Sequence, residues 1–119
     1  MSNWNESVTA QHEQIAEQND AFRHRQPGGG QGQWVWTSAI DAEGQDFLLA
    51  CMKAVDAYDD FNQENDPFDT HEMGFMEVAG KKVWWKIDLY DRAYEYGSPD
   101  PTSLAETRRV LTILFPSDY

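Results

Sequence analysis

The sequence predicts an α+β fold, with a small, mostly antiparallel four-stranded sheet and helices packed on one face. Three observations carry this. Residues 47–61 repeat apolar side chains at spacings of three and four, the period of a helix. Residues 73–78 and 82–90 alternate around Ala79-Gly80-Lys81, the pattern of a hairpin. Hairpins favour antiparallel pairing, and a one-sided sheet needs helices to cover it.

The elements follow in chain order. Residues 6–24 read as a helix, because Val8, Ile15 and Phe22 recur every seven residues and fall within about 40° of one another. His12 and Asn19 share that side, so the apolar seam is narrow, while Glu6, Glu13, Glu17 and Asp20 lie opposite. The glycines of segment 27–32 form a flexible joint. No strand precedes them and no Lys follows, which argues against a phosphate-binding loop. Trp34 to Ile40 alternates as a strand. Leu48, Cys51, Met52, Val55, Tyr58 and Phe61 mark the central helix, closed by a turn at Asn65-Asp66-Pro67. On the second hairpin strand Val83, Trp85, Ile87 and Leu89 face inward. Thr102 or Ser103 caps a short helical turn reaching Thr107, with Glu106 near the capping-box position. Val110 to Phe115 is the last strand, stopped by Pro116. The 119 residues suit one domain, spanning 1–119.

Composition narrows the function. The formal net charge is −12, with 21 acidic against 9 basic residues. Bare nucleic acid and anionic membranes are poor partners for such a chain, since both are polyanions. A basic protein groove is a better one. With Cys51 alone, no intrachain disulfide or four-thiolate zinc site forms, and its apolar surroundings mark it as a small buried hydrophobe. No stretch approaches the roughly 20 apolar residues of a membrane span, and the N-terminus has no basic start followed by an apolar run. The expectation is an intracellular, cytoplasmic protein without a signal peptide or a cofactor.

Residues 54–80 contain no Lys or Arg and eight carboxylates. Two rows of acids stand out at helical spacing, where neighbours lie about 5–6 Å apart. One is Glu13, Glu17 and Asp20. The other is Asp56, Asp59, Asp60 and Glu64 with Asp66 beyond, provided the helix extends that far. Duplex phosphates repeat on a comparable scale, about one per 3.4 Å of axis on each strand. These acids are therefore the candidate partner-binding residues, presented to a protein that grips nucleic acid. Other chemistry has weaker signals. Asp60, Asn62, Glu64 and Asp66 resemble half a calcium loop, but Asn65 stands where the loop needs Gly and His71 where it needs a bidentate Glu. His71 with Asp69, Glu72 and Asp88 is a candidate metal-binding or hydrolytic centre without sharp ligand spacing. Trp84, Trp85, Tyr90, Tyr94 and Tyr96 offer stacking surfaces, with only Lys81, Lys82, Lys86 and Arg92 nearby to hold a phosphate backbone. No Gly-x-Ser-x-Gly nucleophile motif occurs, so a non-enzymatic protein is expected.

Five strings in order carry a resemblance. They are Phe61-Asn62 with Asn65-Asp66-Pro67, then His71-Glu72-Met73-Gly74, then Trp85 to Asp91. Ser98-Pro99-Asp100-Pro101 and Thr107 to Ile113 follow, running to an acidic-aromatic end at Asp118-Tyr119. Together they resemble a family of small uncharacterised bacterial proteins often encoded on plasmids, prophages and other mobile elements. In that family the His string reads Glu-His-Asp-Phe-Gly. Here His71 remains while Thr70, Glu72 and Met73 depart from it. The resemblance implies a single fold and a mobile-element context. With the charge, it leads to an expected inhibitor of a nucleic-acid-binding host defence protein, of the anti-CRISPR or anti-restriction type, acting by DNA mimicry. An acidic adaptor with another partner is the alternative.

Overall fold

The computed structural model describes the backbone of residues 4–119 and the side chains from Val8 onward. Its elements are α1 (Trp4–Arg23), β1 (Gln31–Trp36), α2 (Ser38–Ala42), α3 (Gln45–Ala57), β2 (Met73–Val78), β3 (Lys81–Tyr90) and β4 (Arg108–Leu114), ending in a 3-10 turn at Pro116–Asp118. The α+β class is as expected. The sheet runs β1-β4-β3-β2, with β2–β3 and β3–β4 antiparallel. The pair β1–β4 is parallel, so the sheet is mixed.

The hairpin forms where the alternation places it. Ala79 and Gly80 both take positive φ, +51° and +79°, the backbone a two-residue turn needs to match strand twist. Val83, Trp85 and Ile87 face inward and are buried, and half-buried Leu89 packs against them. From β4, Leu111 and Ile113 join the same face. Ile40 of α2 and Cys51 and Val55 of α3 cover them, making one core. Helix α1 lies on this face too, since its Arg23 guanidinium sits 5.1 Å from the Trp85 ring. On the opposite face Trp84 packs edge-on against Phe75 and Tyr119.

Several boundaries differ from the sequence expectation, each for a local reason. The strand expected at 34–40 is β1 at 31–36, because the Thr37 hydroxyl accepts from the Ile40 N–H and starts α2. The central helix ends at Ala57 rather than Phe61. Tyr58 turns extended there, and its ring packs edge-on against Phe61 and Trp85. No helix forms over 102–107, where turns leave Thr107 buried and bonded to Ser98 and the Asp100 carbonyl. The glycine segment is no loose joint. Gln26 and Arg25 N–H return to the carbonyls of Ala21 and Phe22, closing α1 with a Schellman turn in which Arg25 has φ +54°. Gly29 then lies against the Phe22 backbone, where a Cβ would approach within 2.4 Å of nitrogen.

Candidate functional site

The segment between α3 and β2 runs back along α1. At one end Arg23 Nη1 donates to the Val55 and Tyr58 carbonyls at 2.7 and 2.9 Å, capping the C-terminus of α3. In the middle Asn19 Nδ2 donates to the Thr70 carbonyl at 2.9 Å. At the far end the His12 ring meets Phe68 edge-on at 5.9 Å. Residues 58–72 and α1 therefore form one continuous surface.

Beneath this surface lies a polar core. Arg109 of β4 is fully buried, and donates from Nε to Asn19 Oδ1 at 2.8 Å and from Nη2 to Gln18 Oε1 at 3.1 Å. Gln18 in turn donates to the Thr102 carbonyl. Burial pushes Arg109 down to about 10, which leaves it charged at neutral pH, and among the described residues no carboxylate pairs with it. The amide oxygens of α1 solvate this charge. The sequence did contain a signal: Asn19 lies on the apolar stripe with Ile15 and Phe22, where an amide must find partners inside.

His71 is the hub of the surface. Asp66 accepts from the Thr70 and His71 N–H groups, folding the chain so that Asp69 and His71 both take positive φ. The imidazole stacks flat on Phe61 at 3.9 Å. Its Nδ1 lies 2.9 Å from Asp20, which also accepts from Arg23. Its Nε2 lies 3.4 Å from Asp69 and 3.8 Å from Asp66. One ligand atom each from Asp66, Asp69 and His71 falls within 4.8 Å of the others, the one such group among the described residues.

The acids expected to bind a partner divide into two sets. Glu13, Glu17, Asp59, Asp60 and Glu64 are exposed, and among the described residues none has an ion-pair partner. The continuous helical row over Asp56, Asp59, Asp60 and Glu64 is not formed, because α3 stops at Ala57 and leaves the last three on the following loop. Asp56 is bonded to His24, Asp20 to Arg23 and His71, and buried Asp66 to backbone N–H groups. The side chain of Glu6 lies outside the described residues.

The expected metal set is also corrected. His71 is brought to Asp66 and Asp69, whereas Glu72 and Asp88 lie outside that group and line an adjoining cleft of about 330 Å³ that Asp66 shares with Lys86, Phe68 and Tyr119. There Lys86 bonds Asp88 at 2.8 Å, and this raises the lysine. Desolvation, then the Asp66 charge, pushes the Glu72 carboxyl up. The calcium-like series fails because Asn62 accepts from Glu64 and Asn65 N–H, while Asp66 serves Thr70 and His71. Cys51 is buried in the core, with its thiol pushed up to about 11 by desolvation. The aromatic set does not share a face: Trp85 is in the core, Trp84 is on the outer face, and Tyr94 and Tyr96 are exposed on a loop.

No helix among the described residues is long and apolar enough to cross a membrane. No curated protein and no solved structure matches the chain. A family model described as a protein of unknown function, DUF3768, matches residues 36–118, from the end of β1 to the 3-10 turn. The chain belongs to the DUF3768 family.

Proposed function

We propose that this is a non-enzymatic binding protein whose acidic face occupies the basic groove of a nucleic-acid-binding protein and keeps nucleic acid out. One observation carries the reading: two stretches without exposed cations are laid side by side. Residues 8–22 and 54–80 contain no Lys or Arg, and the bonds from Arg23, Asn19 and His71 bring the two stretches together. Arg23 itself is buried. The resulting surface carries Glu13, Glu17, Asp59, Asp60, Glu64 and Asp69. A Lys- and Arg-lined groove is the complementary partner, and opposite potentials steer such an encounter. The reading extends to a mobile-element inhibitor of a host restriction or CRISPR nuclease, acting in the cytoplasm by DNA mimicry. A metal-binding or hydrolytic domain around His71 has less support. The His71 Nδ1 is taken by Asp20, and the two carboxylate oxygens of Asp66 already serve N–H groups.

The test is competition. Purified restriction and RNA-guided nucleases are held on labelled duplex DNA, and this protein is titrated in at increasing salt. Displacement of duplex is expected from a nuclease of the right groove, weakening as salt screens the charges. The triple variant Asp59→Lys, Asp60→Lys, Glu64→Lys should lose it. A ternary complex of nuclease, duplex and this protein, or full displacement by the triple variant, overturns the mechanism.

A further inference from the structure

A second surface lies outside the acidic face. Strand β1 is an edge strand, hydrogen-bonded to β4 alone. The Thr37 N–H donates to the Ile113 carbonyl. In a parallel ladder alternate residues bond the same neighbour, so Gln33 and Val35 also face β4. Gly32, Trp34 and Trp36 therefore direct their N–H and C=O groups away from the sheet. Among the described residues no backbone group bonds that free side. Edge strands are ordinarily protected by Lys, Pro, a bulge or a covering loop. Gln31–Trp36 contains no Pro and no charged residue.

A cleft of about 660 Å³ lies beside β1, lined by residues 29–34 together with Phe22, Arg25, Gln26 and Pro27. Trp34 supports the Arg25 guanidinium, which lies 4.7 Å from the ring centroid. Arg25 has no carboxylate partner among the described residues, and no acid lines the cleft. In a chain of net charge −12 this cleft bears a positive side chain, while on its other side Arg25 borders a second cleft with Lys53 and Asp56.

We infer that β1 accepts an extended peptide segment of a partner protein as a fifth strand, with an acidic side chain of that segment seated on Arg25. Backbone bonds to Gly32, Trp34 and Trp36 supply the strand pairing, and Arg25 supplies the selectivity. The site needs no acidic face, so it stands or falls apart from the inhibitor reading.

The probes are two capped pentapeptides, Thr-Val-Glu-Val-Thr and Thr-Val-Lys-Val-Thr, titrated into the isotope-labelled full chain. Amide hydrogen exchange and chemical shifts of β1 are followed by NMR. The Glu peptide should slow exchange at Gly32, Trp34 and Trp36 and bind about threefold to tenfold tighter than the Lys peptide. Arg25→Gln should abolish the preference and Arg25→Glu should reverse it, both with an unchanged fold, since Arg25 is exposed. Equal binding of the two peptides, or amide changes outside β1 alone, overturns the inference. So do β1 amides already protected in a free chain that sediments as a dimer, which would give the edge to a second copy.

Discussion

Trp85 shows how a single residue ties the inner layers together. Its ring is fully buried, meets Tyr58 and Phe61 edge-on, and lies beneath the Arg23 guanidinium. Opposite it stands Gly74, where a Cβ would come within 2.1 Å of the indole nitrogen. The neighbouring strand thus uses glycine to admit an aromatic ring. Trp85→Ala should destabilise the fold by about 3–5 kcal/mol, through lost burial and the cavity left behind. Denaturant unfolding measures this, and a loss under about 1 kcal/mol would mean that the site collapses or was never packed. The strand pattern alone made Trp85 legible as core. The residues around it were less so. Asn19, Arg23 and Arg109 are polar types that a composition argument assigns to the surface, yet all three are buried. Their partners come from far along the chain: Asn19 meets Arg109 of β4, 90 residues away, and Arg23 meets the carbonyls of Val55 and Tyr58.

At the scale of elements, what was legible depended on how local the cause is. The hairpin is written in adjacent alternation, so it was readable, although the turn is Ala79-Gly80 alone and Lys81 already opens the second strand. The end of α3 was not, because Tyr58 and Phe61 keep helical spacing while lying beyond the helix, Tyr58 on extended chain and Phe61 in a tight turn to Asp59. The parallel pairing of β1 with β4 has no local signature at all. Helix α1 was expected to be loosely joined, but Arg23 makes it the cap of α3. Removing that cap takes the guanidinium donor from the Val55 and Tyr58 carbonyls and leaves Asp20 with His71 alone. Arg23→Met should therefore cost about 2–4 kcal/mol. Amides in α1 and in the last turn of α3 should then exchange faster together, as one cooperative unit. If α1 amides exchange as freely in the wild type as in the variant, the helix is an appendage and the acidic surface is not preformed.

For the whole molecule the governing quantity is a net charge of −12, much of it on one side of a small domain. Asp59, Asp60 and Glu64 have no ion-pair partner among the described residues, so folding brings them together without compensation. That repulsion is long-ranged at low salt, with a Debye length of about 30 Å at 0.01 M and about 8 Å at 0.15 M. Added NaCl should raise the melting temperature of the wild type over this range. The triple Lys variant carries a formal charge of −6, two units less negative per reversal. It should melt as high as the wild type or higher in 0.01 M salt, and depend on salt less steeply. The two melting curves should converge as screening removes the difference between them. A wild-type melting temperature that falls with salt would mean that the pairs Arg23–Asp20, Lys81–Glu43 and Lys86–Asp88 outweigh the repulsion. A variant that melts well below the wild type would mean that these acids hold the loop in place. Retained folding with lost duplex displacement, measured on the same preparation, is the combination that assigns the acidic face to binding rather than to architecture.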